Sequence, residues 1–567
     1  MDRRDFLQTV SVGVLGAMAA PGIRDAGAEG SGTPRPNVLF IITDDQGYGD
    51  LGCHGNPALK TPRLDRLHGE SIRLSRFHVC PVCSPTRACL MTGRYNYRTG
   101  VVDTYAGRSM MATEEKTVAA MLKGCGYRTG IFGKWHLGDT WPLRPMDRGF
   151  EETLVHLGGG ITQPSDPEFY ERENTYFNPT LQHNGEQQQY PGYCTDVFTT
   201  EAIKFMEGRG EEPFFAYVAF NAPHTPLQVP EEDAAPYLAA GLQEETARVY
   251  GMIANVDRNV GRLLDFLDGA GIAGNTVVIF MTDNGSQKLD TEDRWDGGQR
   301  GWKGTPYEGG IRVPCFIRWP EKIKGGRDMD RITAHIDLTP TLLDLCACAP
   351  ADRPLFDGKS LMPLLTGEDG DKDWPERTLF FQWHRGDVPE AFKNSAVLGD
   401  RWKLVNGVEL YDLPEDPKEE KDLASAYPEV VQEMREAYLR WFEDVGATRG
   451  YAPVRIRLGS DHQNPVVLTR QDWHDADNWT SDAAGYWEVL VEAAGSYTLT
   501  VDLPACEQEN VLHIHLAGNE KTVPVAPGLR SVVVEGLAWN AGPARLECYL
   551  EHNKKRRGVH FVHVKKN

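Results

Sequence analysis

The segment NVLFIITDDQGYGDLG, residues 37–52, opens with a continuous apolar run from Val38 to Ile42 and ends on two adjacent carboxylates, Asp44 and Asp45. An unbroken run of this kind predicts a strand buried on both faces, as in a parallel sheet covered by helices. Ligand sites in open α/β sheets lie at the carboxyl ends of such strands. Two neighbouring carboxylates there repel unless a cation sits between them, and hard oxygen donors select Ca2+ or Mg2+. A solvated Asp-Asp turn is the alternative for this stretch taken alone.

The same form recurs in NTVVIFMTDNGS, residues 275–286, where a run from Val277 to Met281 ends in Asp283 and Asn284. Two strand ends, each carrying a pair of oxygen donors after a Thr, predict one shared metal site. RTGIFGKWHLG, residues 128–138, places Lys134 and His136 after a short strand; they alternate across Trp135, so an extended backbone points both to one side. PFFAYVAFNAPHTPL, residues 213–227, is a strand from Phe214 to Phe220 running to His224, in a loop stiffened by Pro223 and Pro226. Apolar spacing predicts helices over Thr117–Lys123, Thr195–Met206 and Arg248–Leu267, the last stopping at Gly269. Strands alternating with helices give an α/β fold with a doubly wound, mostly parallel sheet. Further on, Lys303 lies in a Gly-rich loop before a strand from Ile311 to Ile317, with Glu308 and Arg312 holding the loop together. HIDLTPTLLDL, residues 335–345, reads as a capped helix in which Asp337 is structural.

Between the first two of these strands runs VCPVCSPTRACLMTGRYNYRTG, residues 79–100. Pro85 fixes a rigid turn, and a helix after it puts Arg87 one turn above Cys83. A guanidinium beside a thiol favours the thiolate; the plainer alternative is a buried Cys at a helix start. Cys83-x-Pro85-x-Arg87, extended through Leu90, Thr92, Gly93 and Arg94, resembles the signature of the formylglycine-dependent (type I) sulfatases of the alkaline phosphatase superfamily. Gly133-Lys134-Trp135-His136, Ala222-Pro223-His224 and the Lys303 loop match the same family, over roughly Arg35 to Val445.

The resemblance implies that Cys83 is oxidised to formylglycine, whose hydrate is the nucleophile. It implies a divalent cation, Ca2+ in preference to Mg2+, held by Asp44, Asp45, Asp283 and Asn284 together with modified Cys83. Arg87, Lys134 and Lys303 supply positive charge, with Lys303 binding sulfate. His224 protonates the leaving alcohol and His136 is the base that expels sulfate. The implied activity is sulfuric ester hydrolysis on a sulfated carbohydrate, with aryl sulfates as further substrates, and a formylglycine-generating enzyme as maturation partner. The competing readings are a formylglycine-dependent phosphonate or phosphodiester hydrolase, and a non-catalytic protein that binds sulfated glycans.

The chain has 567 residues, 25% of them charged and 40% hydrophobic, with a formal net charge of −21. That balance is ordinary for a soluble globular protein and argues against a nucleic-acid binder, which needs a basic face. Arg3 and Arg4 precede a short apolar stretch from Val10 to Ala20, which reads as a twin-arginine-type signal peptide over residues 1–28 and not as a membrane span. The expected protein is exported, periplasmic or extracellular, without stable membrane insertion. Of the eleven Cys, conversion of Cys83 leaves an even ten; Cys506 with Cys548 is the pairing expected from shared position. The expected divisions are a catalytic domain over 35–370, a small C-terminal α/β subdomain over 371–455 and an appended all-β sandwich over 465–567. The sandwich shows period-two alternation at Trp487, Val489, Val491 and again from Tyr497 to Leu503. Trp473, Trp479 and Trp487 either stack on sugars or fill its core.

Overall fold

The run from Val38 to Ile42 lies in β1 (Asn37–Thr43), near the middle of a ten-stranded mixed sheet. The computed structural model describes residues 35–567 apart from 162, 167–168, 171–174, 209, 368–373 and 475–483. The signal segment and Trp479 lie outside the described residues. In chain order the sheet continues with β2 (Ile72–Leu74), β3 (Arg128–Lys134), β4 (Glu152–His156), β5 (Thr180–His183) and β6 (Glu186–Gln189). It is completed by β7 (Phe214–Ala219), β8 (Thr276–Thr282), β9 (Cys315–Arg318) and β10 (Arg327–Met329). The spatial order is β10-β2-β9-β8-β1-β7-β3-β4-β5-β6. Strands β8, β1, β7, β3 and β4 form the parallel centre. The sheet turns antiparallel where β9 meets β8 and where β5 meets β4.

Alternate residues of the central strands feed two cores. Phe40, Ile42, Tyr217 and Ile279 pack with α1 (Cys83–Thr92), α2 (Val118–Gly124) and α5 (Leu338–Leu345). Leu39, Ile41, Val218 and Phe280 pack on the other face with α3 (Cys194–Glu207) and α4 (Glu244–Gly269). With both faces covered, the interiors of β1, β7 and β8 hold only hydrophobic residues, which is why their sequences read as unbroken apolar runs.

The expected strand over Ile311–Ile317 is shorter. Glu308–Ile311 forms a helical turn, and the strand begins only at Cys315. Gly309 and Gly310 let that turn press on the loop behind it, where a Cβ on Gly309 would come 2.4 Å from the Gly301 carbonyl; Pro314 then has no N–H for a ladder. The stretch at 335–345 is a 3-10 turn over His335–Asp337 running into α5. Asp337 is buried, pairs with Arg377 at 2.9 Å and accepts from the amides of Ala334 and Lys359.

Residues 379–412 form a four-stranded antiparallel sheet, on which α6 (Pro428–Ala447) packs. Trp441 of α6 stacks on Phe380 and meets Tyr95 edge-on, tying this part back to the segment after α1. The C-terminal strands form two sheets around one hydrophobic core. Trp473 and Trp487 are 0% exposed inside that core, so neither offers a face to a sugar. Cys506 and Cys548 are both free; Cys548 points into the sandwich core and Cys506 donates to the Pro504 carbonyl. The disulfide instead joins Cys125, after α2, to Cys348, after α5. Among the described residues no helix is long and apolar enough to cross a membrane.

Candidate active site

Four strands of the parallel centre deliver polar side chains to one edge of the sheet. β1 runs into Asp44 and Asp45, β8 into Asp283 and Asn284, β3 ends on Lys134, and β7 leads to His224. Thr43 and Thr282 are partners in register, so the two oxygen pairs stand level. An extended backbone would send Asp44 and Asp45 to opposite sides. Asp45 instead adopts a left-handed conformation, φ 63°, which brings both carboxylates to the site. Backbone strain of this kind in a non-glycine residue persists only where its surroundings enforce it.

Cys83 is the first residue of α1 and is buried against these groups. Asp44, Cys83 and Asp283 place one potential ligand atom each within 4.8 Å of one another. Arg87 does not engage the thiol. Its Nε and Nη2 donate to one oxygen of Asp283, at 3.1 and 2.8 Å, and its Nη1 to the Lys134 carbonyl. Burial pushes the Cys83 thiol up, and Lys134 and Lys303 do not overcome it. The expectation that Arg87 favours a thiolate is therefore corrected: burial pushes the thiol up, and the guanidinium is engaged by Asp283.

Lys134 Nζ donates to Asp44 at 2.6 Å, and Lys303 Nζ lies 2.6 and 2.8 Å from the two oxygens of Asp45. Burial works to raise Asp45, but Lys303 and His224 outweigh it and hold the carboxyl well below the usual range. At Asp283, burial and the Asp44 charge win over Arg87 and push the carboxyl up. Three buried carboxylates thus stand paired with three cations, of which Lys134 and Arg87 are buried and Lys303 is partly exposed.

His136 also has a positive φ, 64°, so the same-side alternation across Trp135 does not hold: β3 ends at Lys134, and the left-handed turn swings the imidazole toward Cys83. Nδ1 lies 3.4 Å from Cys83 Sγ, and Nε2 lies 2.7 Å from the Thr104 carbonyl. A carbonyl can only accept, so Nε2 carries the proton and Nδ1 presents its lone pair to Cys83. His224 Nδ1 donates to the Thr225 carbonyl at 2.6 Å, which leaves Nε2, 3.8 Å from Asp45, without a proton while the ring is neutral. Burial pushes His224 down to about 4, against the pull of Asp45.

Comparison with known proteins places the chain in a family. The sulfatase family profile matches residues 36–347, and that of the N-sulphoglucosamine sulphohydrolase C-terminal region matches 298–443. Human N-acetylgalactosamine-6-sulfatase is 32% identical over 417 residues, covering 68% of this chain and 75% of the relative. The chain belongs to the sulfatase family. Human steryl-sulfatase is 28% identical over 526 residues, covering 72% of this chain and 88% of the relative. The crystal structure of Ps i-CgsB in complex with k-i-k-neocarrahexaose matches with a TM-score of 0.65 at 30% identity, covering 73% of this chain and 94% of that one. This sulfatase is accordingly an enzyme that hydrolyses sulfate esters.

The donor set of the sulfatase suits a hard divalent cation. Asp44 Oδ1 and Asn284 Oδ1 are buried and accept no hydrogen bond among the described residues. Asn284 Nδ2 donates to Asp45 at 2.8 Å and to the Gly285 carbonyl at 3.0 Å, and its oxygen is left without a donor. Buried acceptors without donors are costly, and carboxylate and amide oxygens are the donors such a cation prefers.

Two contributors escaped the sequence reading. The Thr104 carbonyl that fixes His136 is main chain and carries no residue-type signal. Arg294 donates to Asp50 at 2.6 Å and to the Asp45 carbonyl at 3.1 Å, bracing the strained turn. It lies in the 287–299 loop, which matches no motif. Glu308 and Arg312 do hold their loop: Glu308 pairs with Lys403 at 2.9 Å, and Arg312 donates to the Ser75 carbonyl.

Proposed function

We propose that the sulfatase removes sulfate from a sulfated carbohydrate, with Cys83 converted to formylglycine and Ca2+ held by Asp44, Asp45, Asp283 and Asn284 beside the converted side chain. The observation that carries this reading is the balance of charge around Cys83. Lys134, Lys303 and Arg87 are each engaged by a carboxylate of the cluster. A cation bound to those carboxylates would supply the charge that leaves Lys134 and Lys303 for the oxygens of a sulfate ester, while the hydrated aldehyde would supply two hydroxyls on one carbon, one to attack sulfur and one to expel sulfate.

The chain's own groups then divide the proton work. His136 Nδ1, already facing the Cys83 side chain, takes the proton from the hydroxyl that expels sulfate. His224 faces the site through Nε2 and donates to the leaving alcohol once the negative charge of the bound ester has drawn a proton onto it. Arg87 holds Asp283 and the Lys134 peptide in place. Cys83 is 2% exposed, so a formylglycine-generating enzyme reaches it only before α1 packs onto the sheet.

The carbohydrate class rests on the relatives, one named for N-acetylgalactosamine 6-sulfate chemistry and one crystallised with k-i-k-neocarrahexaose. Export fits the Arg3-Arg4 start and the Cys125–Cys348 disulfide, which needs an oxidising compartment. The test is to produce the protein with a formylglycine-generating enzyme and measure sulfate release from sulfated oligosaccharides and 4-nitrophenyl sulfate, beside a phosphodiester analogue, with Cys83→Ala as control. Sulfate release abolished in the mutant is expected; faster cleavage of the phosphodiester would contradict the reading.

A further inference from the structure

The C-terminal sandwich meets the catalytic sheet along the segments that flank His136. Met110, Ala112 and Leu143 belong to the sandwich's own hydrophobic cluster. The Trp141 amide donates to Gln463 Oε1 at 2.7 Å, and its ring stacks on His462 at 4.5 Å. The closest engagement comes from one turn, Arg470–Asp472. Gln471 in that turn is 3% exposed. Its carbonyl accepts from the amides of Ala106 and Gly107, at 2.7 and 3.3 Å. Its Nε2 donates to the Thr104 carbonyl at 2.9 Å. That carbonyl is the one that accepts the Nε2 proton of His136 at 2.7 Å. A carbonyl oxygen has two lone pairs, and here one meets the sandwich and the other meets the imidazole. On the far side of His136, Thr469 Oγ1 donates to Asp139 at 3.3 Å. The fit is close: a Cβ on Gly107 would come 2.3 Å from His474 Nε2.

We propose that Gln471 is a positioning residue for His136, and that the sandwich is thereby a structural part of the reaction centre. The inference rests on His136 acting as the base, as read above. The Thr104 carbonyl selects the tautomer with the proton on Nε2 and leaves Nδ1 bare toward Cys83. A ring released from that carbonyl can place its proton on Nδ1 instead, where it faces Cys83 as a donor and has no lone pair to accept with. The Thr104–Gly107 turn is held in place from the sandwich by both the main chain and the side chain of Gln471.

The experiment uses the full chain with Cys83 converted and the converted fraction measured by mass spectrometry. Gln471→Met keeps length and apolar fill but removes the donor; Gln471→Glu sets an acceptor against the Thr104 carbonyl; His136→Ala is the reference. All keep the main-chain bonds of residue 471, so docking does not depend on the side chain alone. Nitrophenol and sulfate release from 4-nitrophenyl sulfate are followed by stopped flow. For Gln471→Met, kcat should fall about tenfold to a hundredfold with KM little changed, the size expected of a misplaced catalytic group. A burst of nitrophenol should precede slow sulfate release, because the step served by His136 becomes limiting. Gln471→Glu should be slower still. A role confined to stability would lower the melting temperature and produce no burst. If His136→Ala bursts while both Gln471 variants turn over like the wild type, this inference is wrong and the base assignment stands. If His136→Ala turns over like the wild type, or the converted wild type releases sulfate from neither 4-nitrophenyl sulfate nor the sulfated oligosaccharides, the underlying reading fails and takes the inference with it.

Discussion

Asp45 and His136 are the two non-glycine residues of the site held in the left-handed region; the bend sets Asp45 against Lys303 and the His136 ring against Cys83. Each is clamped. Arg294 binds the Asp45 carbonyl, and Thr104 binds the His136 ring. Asp283 has a different task, since it must both fix Arg87 and face the other carboxylates. Replacing it with Asn should lower Ca2+ affinity by at least about tenfold in titration calorimetry and lower turnover with it. Asp337→Asn, which removes a buried carboxylate away from the site, should instead cost stability and leave Ca2+ affinity unchanged. At this scale much of the site was legible: the Asp-Asp and Asp-Asn pairs, Lys134, His136, His224, Lys303 and Cys83 all converge. Their pairings were not legible. Nothing in the spacing says that Arg87 grips Asp283 and not the thiol, because that depends on two segments almost two hundred residues apart meeting in space.

The central strands were readable because burial on both faces leaves one solution, a short apolar run ending in polar residues. The strand over 311–317 failed because apolar composition alone does not show that the preceding Gly309-Gly310 pair closes a helical turn. Glycine matters most at Gly133, φ 118°, beside Lys134. A Cβ there would come 1.9 Å from the Ala219 carbonyl on the paired strand β7. Gly133→Ala should force β3 and β7 apart and displace Lys134 and His136 together, with loss of most turnover and a clear fall in melting temperature. In the sandwich, alternation gave the strands, but it could not tell a Trp that faces a sugar from one that faces the opposite sheet. Trp487 is core, and its indole N–H donates to the Thr469 carbonyl next to the docking turn. Trp487→Ala should therefore destabilise by about 3–5 kcal/mol in denaturant titration and leave glycan affinity per folded molecule unaltered.

Over the whole molecule, the sheet supplies the site and the C-terminal parts hold it still. The seam between sheet and sandwich contains a carboxyl pair, Asp139 and Asp472. Burial pushes both up, and at Asp472 the Asp139 charge adds to it. A carboxyl raised in the folded state contributes stability below the ordinary carboxylate range, and that contribution is lost as pH rises through the raised value. The urea midpoint should accordingly fall as pH rises above the ordinary carboxylate range, and Asp472→Asn, which removes the charge but keeps a hydrogen-bonding group, should flatten that fall. An equal slope in the mutant would mean that the seam is not titrating. The role of converted Cys83 as nucleophile underlies everything proposed for this site. Its most direct test is the rate of sulfate release plotted against the fraction of Cys83 carrying the aldehyde, over preparations made with increasing amounts of the maturation enzyme. A straight line through the origin is expected; a rate that stays constant as the converted fraction falls toward zero would contradict that role.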